Sequence, residues 1–253
     1  MKLRWLYRLG GFGPVLDMLE AMPPMDADSF TMKMAAAFGI CATNMSPPLP
    51  AQTKTIFVAT HHTGAVDFLA GYSVLRSIAP KLKVVLNRAL LALHPLAQIA
   101  LPVHPPSTGR PNHEARHSIA EHLGAGGNVL VFPAGRVGIR RGHRVVDLPW
   151  RHGIGEVARD SARAVVPVYI DAENSARFYW LRRVQPSISM FVLMRELVRV
   201  ARPSVPVYVG EPVLASTLQN LSGADIVSRL RERAYALDPR AGARREMPSH
   251  VVA

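Results

Sequence analysis

Cys41 is the only cysteine in the 253-residue chain, which rules out intramolecular disulfides and any site built on cysteine spacing. Long apolar runs are missing too. None reaches the about 18 residues of a membrane-spanning helix, and no basic stretch followed by an apolar run and a small-residue cleavage site opens the sequence. The sequence therefore predicts neither a membrane span nor secretion, and a reducing cytosol suits the single thiol. Acidic residues are scarce, 18 against 30 lysines and arginines, for a formal charge of +12. That excess implies an anionic partner. Nucleic acid is the weaker choice, because zinc-finger spacing, an RRM-like aromatic signature and long basic runs are all absent. Arginines scattered through a chain that is 49% hydrophobic suit a negatively charged membrane surface better.

What is present is an alternation of strand and helix patterns. Ile56 to Val58, Leu82 to Leu86, Leu101 to Val103, Asn128 to Phe132, Val165 to Ile170 and Val205 to Val209 read as strands. Between and after them, helices are expected at Val66 to Ile78, Asn112 to Leu123, Ile154 to Ala162 and Ala224 to Ala236. Such alternation predicts a single α/β layered domain with a largely parallel mixed sheet flanked by helices. Helices at Pro14 to Glu20 and Phe30 to Ile40 suggest an N-terminal helical extension over residues 1–50, with the main domain over 51–237 and a mobile arginine-rich tail over 238–253. The first ten residues mix Leu3, Trp5, Leu6 and Tyr7 with Lys2, Arg4 and Arg8, a pattern compatible with an interfacial anchor or with packing on the domain.

The chemistry concentrates in two tight turns that follow strands, where open α/β sheets bind ligands. The first, residues 53–67, places His61, His62, Thr63, Gly64 and Asp67 between the strand at Ile56 and the next helix. A carboxylate that accepts a hydrogen bond from one imidazole nitrogen fixes the tautomer and stabilises the imidazolium, leaving the other nitrogen to take a proton from a hydroxyl. The plainer reading is a solvent-facing histidine and a capping aspartate. The second turn is Pro133 to Gly138.

His113-Glu-Ala-Arg-His117 has the spacing of zinc hydrolases. However, Ala115, Ile119 and Leu123 form the apolar stripe of that helix and both histidines fall on its polar face. A solvated surface is expected there, with no metal.

The first turn, taken with Phe132-Pro-Ala-Gly-Arg-Val137, resembles the lysophospholipid acyltransferase superfamily. The nearest likeness is to its bacterial hemolysin-like branch, which carries Asn-His-Pro-Thr-Gly-x-x-Asp and Phe-Pro-Ala-Gly-Glu-Val blocks. Further blocks continue the likeness from about residue 35 to residue 213: Asn87 to Leu91, Pro167 to Ile170, Asn174-Ser175, Arg195 to Leu197 and Gly210 to Pro212. The resemblance implies transfer of a fatty acyl group from acyl-CoA or acyl-carrier protein to the hydroxyl of a lysolipid, phospholipid or ornithine-lipid in type. No cofactor is implied beyond the thioester co-substrate, and the implied setting is peripheral, on the inner face of the cell membrane. The rival is a binding module for membrane surfaces or nucleic acid that retains the fold without the chemistry.

The resemblance points to His61 or His62 with Asp67 as the catalytic pair: a four-residue spacing selects His62, and alignment on the nearer branch selects His61. Implied substrate-binding residues are Thr63, Gly64, Asn87, Arg88, Pro133, Gly135 and Arg136. Backbone N–H groups of Thr63-Gly64 or of Gly135-Arg136 are the candidate oxyanion donors. The second block departs from the common Phe-Pro-Glu-Gly-Thr-Arg-Ser pattern at Ala134, in place of its glutamate, and at Val137, which holds its arginine position. It departs from the nearer branch, where Ala134 is usual, at Arg136, in place of an acid. Arg136, with Arg140 and Arg141, is therefore expected to meet an anionic group. Two apolar segments, Arg177 to Arg183 and Met190 to Met194, are candidates for an acyl entrance or membrane-facing rim, the second fitting core better.

Overall fold

The computed structural model describes residues 17, 22–47, 49, 51–104, 112–184, 196 and 204–241. Expectations placed on residues 1–10 and on Met190 to Met194 lie outside these. In chain order the elements are α1 (Ala27–Ala37), β1 (Ala42–Asn44), β2 (Thr55–Ala59), α2 (Ala65–Leu75), β3 (Leu82–Asn87), β4 (Ala100–Val103), α3 (His113–Gly124) and β5 (Asn128–Val131). There follow β6 (Ile139–Arg141), β7 (Arg144–Val146), α4 (Gly153–Ser161), β8 (Ala164–Ile170), α5 (Ala176–Val184), β9 (Val205–Val209), β10 (Val213–Leu214) and α6 (Gly223–Ala236).

The main sheet has the order β1-β9-β8-β2-β5-β3-β4, with β10 paired to β8. Strands β8, β2, β5, β3 and β4 run parallel; β9 and β10 are antiparallel to β8, and β1 is parallel to β9. The sheet is mixed and mostly parallel, the α/β architecture expected. Every residue of β2 is buried, as a central parallel strand covered on both faces requires. Alternate side chains serve opposite layers. Phe57 and Ala59 join α1 and α2 in one cluster, while Ile56 and Val58 join α3, α4 and α6 in the other. Where α4 and α6 cross, a Cβ on Gly155 would stand 2.3 Å from the Gly223 carbonyl oxygen, so this close helix contact depends on a side chain of hydrogen alone.

The described part of the N-terminal segment packs on the sheet. Ala27, Phe30, Met34 and Ala35 of α1 are core residues, and β1 pairs with β9 along Ala42↔Val205 to Asn44↔Val207. Asp26 caps α1 by accepting the Ser29 N–H, and Tyr72 of α2 donates to Asp28 at 2.7 Å. Residues 27–44 are thus a layer and an edge of the same domain. The start of the tail is likewise tied down: Arg240 bonds Asp238, Asp171 and the Tyr169 hydroxyl. After β3 the chain makes two 3-10 turns, Arg88–Ala92 and His94–Gln98, with Pro95 in the first turn of the second, where its missing N–H costs no helical bond.

Candidate active site

Both turns lie at the carboxyl ends of neighbouring parallel strands, β2 and β5. Past Ala59 the chain leaves the sheet through Thr60, whose N–H donates to Val168 O and whose hydroxyl accepts the Ile170 N–H at 3.0 Å. His61 and His62 follow. Gly64 begins α2 with φ of 87°, a backbone that glycine adopts without a Cβ penalty. Asp67, in the first turn of α2, then reaches back under the loop.

The Asp67 carboxylate is fully buried and saturated with donors. Oδ2 accepts the N–H groups of Thr63 at 2.8 Å and Gly64 at 2.9 Å and lies 3.1 Å from His61 Nδ1, while Oδ1 accepts the Thr63 hydroxyl. Burial pushes this carboxyl up. The hydrogen bond to His61, the charges of His61 and His62 and the Thr63 hydroxyl outweigh it, and the net shift is downward. With the folded value below the unfolded one, Asp67 contributes stability that is fully present above the ordinary carboxylate value of about 4 and is lost as pH falls below it. In urea titrations across that range, Asp67→Asn is expected to show a shallower acid loss of stability than the parent protein.

The two adjacent histidines have different surroundings. His61 keeps 17% of its side chain exposed and packs on Phe132 of the second turn, ring centroids 4.6 Å apart. With Nδ1 on Asp67, its Nε2 takes no partner among the described residues. His62 is 2% exposed and sits with Tyr169 and Tyr235, its Nε2 3.1 Å from the Tyr235 hydroxyl and 3.8 Å from Asp147 Oδ1. Its carbonyl accepts the Tyr179 hydroxyl at 2.9 Å. The structure therefore brings His61, not His62, onto the Asp67 carboxylate.

The other predicted site residues divide. The N–H groups of Thr63 and Gly64 are committed to Asp67 and that of Gly135 to Phe132 O, so these three are unavailable as oxyanion donors. Pro133 is buried, and its carbonyl accepts the Arg151 N–H. Arg136 is exposed beside Gly135 and takes no partner among the described residues. Arg140 does not join it: that guanidinium bonds Glu173 at 3.0 Å and lies 5.4 Å from the Tyr179 ring centre. Asn87 turns its side chain back to the Ala89 N–H, and Arg88 lines a shallow groove with Pro102, His104, Asn112 and Glu114 at the ends of β3 and β4. A larger groove, among Asp28, Tyr72, Arg76 and Lys81, opens at the opposite ends of the strands.

Ala134 is 4% exposed in the cluster that contains Trp150. A glutamate there would be a buried charge, so the departure at this position fits its surroundings. On α3, His113 bonds Arg116 and His117 pairs with Glu121 on an exposed face, and no group of metal-ligating residues forms among the described residues.

Sequence reasoning missed Asp147 and Tyr235. Asp147 is 4% exposed; Oδ1 accepts the His61 N–H at 3.0 Å and Oδ2 the Trp150 indole N–H at 2.9 Å. Burial pushes its carboxyl up, only partly offset by the charge of His62 and these hydrogen bonds. An acid between Val145-Val146 and Leu148-Pro-Trp150 was the available signal.

The sequence matches the acyltransferase family model over residues 2–242. It is 26% identical over 172 residues to a lyso-glycine lipid O-acyltransferase of Phocaeicola vulgatus, across 65% of this chain and 61% of that protein. To a protein of the same description from Bacteroides thetaiotaomicron it is 27% identical over 172 residues, across 65% and 62%. The chain thus spans about 61% of the length of the curated relatives it matches. The crystal structure of PlsC, the 1-acyl-sn-glycerophosphate acyltransferase of Thermotoga maritima, shares the fold with a TM-score of 0.52 at 15% identity, over 96% of this chain and 92% of that one. Matched to the family model along nearly its whole length, the chain belongs to the acyltransferase family within the lysophospholipid acyltransferase superfamily.

Proposed function

We propose that the protein transfers a fatty acyl group from a thioester, acyl-CoA or acyl-carrier protein, to the hydroxyl of a lysolipid, with His61 as general base. The observation that carries this is the His61–Asp67 pair: Nδ1 held by a buried carboxylate, Nε2 without a partner, at the carboxyl end of a central strand. The acceptor hydroxyl gives its proton to His61 Nε2 as its oxygen attacks the thioester carbonyl carbon. Asp67 fixes the tautomer and stabilises the imidazolium, as a paired carboxylate does in hydrolase triads. The tetrahedral intermediate collapses with cleavage of the C–S bond, and the imidazolium returns its proton to the leaving thiolate. Ester and free thiol are the products, with no net change in protons and no covalent enzyme intermediate.

Arg136 supplies the positive charge of the site. Its guanidinium and backbone N–H are both without partners among the described residues, in the turn that follows Phe132, whose ring packs on His61. It receives an anionic acceptor headgroup, a role suited to the carboxylate of an amino-acid lipid of the class named for the relatives or to a phosphate. Exposed Trp180, at 65%, and Leu90, at 39%, are the apolar points of a rim that rests on the membrane interface, and the basic charge draws the protein to anionic lipid. Among the described residues no helix is long and apolar enough to cross a membrane.

The test is release of free thiol from long-chain acyl-CoA and acyl-carrier protein, with lysophosphatidate, lyso-ornithine lipid and lyso-glycine lipid as acceptors. Release that depends on one of the acceptors supports the reading. No release with any pair, alongside intact vesicle binding, would replace it with a binding module. Arg136→Ala is expected to raise the apparent KM for the accepted lysolipid about 10- to 100-fold, the loss of one or two charge-assisted hydrogen bonds, with a smaller effect on kcat. An unchanged KM for both substrates would remove Arg136 from the site.

A further inference from the structure

The peptide that carries His61 is gripped on both sides by one element. Gly138 N–H donates to the His61 carbonyl at 2.7 Å, and His61 N–H donates to Asp147 Oδ1 at 3.0 Å. Gly138 immediately precedes β6 and Asp147 immediately follows β7, so the two bonds come from the two feet of a single hairpin. Antiparallel pairing of Ile139 with Val146 and Arg141 with Arg144 fixes the separation of those feet.

Each foot is itself constrained. A Cβ on Gly138 would lie 2.9 Å from the Val146 carbonyl oxygen and 3.3 Å from His62 Cδ2, so a larger residue would push the foot off the loop. Asp147 donates its own N–H to the Tyr235 hydroxyl at 2.7 Å, and its carbonyl accepts from Arg231 at 3.3 Å, both residues of α6. The Tyr235 hydroxyl also meets His62 Nε2, which joins the helix, the hairpin foot and the loop at one oxygen. A buried carboxyl is costly unless its donors recover the loss, and one of its two principal donors is the backbone of the proposed base.

Resting on the reading of His61 as base, we propose that the hairpin 138–147 is a clip that positions His61, with Asp147 and Tyr235 as its positioning residues. Asp67 sets the tilt of the imidazole ring; the clip sets where its backbone stands relative to the acceptor hydroxyl. Displacement of a base by about 1 Å lowers turnover about 100-fold while leaving substrate binding nearly intact. Helix α6, remote in sequence, thereby becomes part of the catalytic geometry.

The test combines kinetics with a direct view of the His61 amide. Asp147→Ala is expected to lower kcat about 10- to 100-fold with KM values within about threefold, and Tyr235→Phe to lower it less. Asp147→Asn, whose side-chain oxygen can still accept the His61 N–H, should recover part of the loss. Trp150→Phe removes the other hydrogen bond to Asp147 without touching His61, so it should cost thermal stability but keep kcat within about threefold of the parent. In 15N-resolved NMR spectra the His61 amide proton should move upfield and exchange faster in Asp147→Ala, and should stay put in Trp150→Phe. Parent-like kcat in both Asp147→Ala and Tyr235→Phe would overturn the proposal. So would equal kcat losses in Asp147→Ala and Trp150→Phe, or an unmoved His61 amide. If Asp147→Ala does not fold, Tyr235→Phe, which removes the acceptor of the Asp147 N–H, carries both readouts, and Asp147→Asn carries kcat alone. Activity surviving His61→Ala would instead overturn the base assignment, while the amide readout would still report whether the clip exists.

Discussion

Alanine at position 61 is expected to lower kcat by about 100- to 10,000-fold, the usual share of a positioned general base, while the protein still melts cooperatively near the parent temperature. His61 is partly exposed and bonded through one nitrogen, so its removal leaves little cavity. His62→Ala should show the inverse: His62 is 2% exposed among Tyr169, Tyr235 and Asp147, and truncation opens a void and leaves the Tyr235 hydroxyl with the Asp147 N–H alone. A cost of about 2 kcal/mol in stability is expected, with a kcat loss of at most about tenfold. Parallel kinetics and thermal melts decide between the two neighbours. A His62→Ala enzyme that melts normally and is inactive would reverse the assignment. Asp67→Asn should resemble His61→Ala in kcat but also lose stability, since a neutral amide oxygen replaces the charged acceptor of the Thr63 and Gly64 N–H groups and the Thr63 hydroxyl must turn from donor to acceptor.

The second large effect lies at the far end of β5. Asn128 is completely buried and ties three segments together: its Nδ2 donates to Gln52 O at 2.8 Å and Pro80 O at 2.7 Å, and its Oδ1 accepts the Thr55 N–H at 3.1 Å. This amide is the hinge pin between the starts of β2, β3 and β5. Asn128→Leu preserves volume but strips partners from these three backbone groups, so a loss of about 3–5 kcal/mol is expected, enough to lower the melting temperature by about 10 °C. Calorimetry measures it directly. A shift below about 3 °C would mean that water replaces the amide.

The parallel strands were legible because they are buried on both faces and therefore read as short continuous apolar runs, as Asn128 to Val131 and Ala164 to Ile170 do. The stripe on α3 was legible for the complementary reason, Ala115, Ile119 and Leu123 recurring at helical spacing with polar residues between. The hairpin β6–β7 was not. Its arginine-rich sequence pairs through backbone groups at the surface and carries almost no apolar alternation. Strand β1 has only three residues, half-buried or exposed, and acquires its identity from β9 more than 160 residues later.

The site was legible in part. Thr63, Gly64 and Asp67 form a local turn whose residues lie within five positions, so sequence spacing carried the geometry. Asp147 and Tyr235 reach the same turn from 86 and 173 residues away, measured from His61 and His62 respectively. No local pattern encodes such a meeting. Which of the two histidines faces Asp67 depends on the same long-range partners: the pocket that encloses His62 is built by α6 and the strand β8, not by the loop itself.

The terminal strands of the main sheet bear on how copies of this protein behave at high concentration. The order ends in β1, three residues long, and in β4, four residues long and containing Pro102, which has no N–H to offer. Among the described residues neither edge presents the extended ladder that lets one sheet add onto another. Wherever copies of the protein are crowded, blunt, short edges keep neighbouring molecules from zipping together while leaving the carboxyl end of the sheet open.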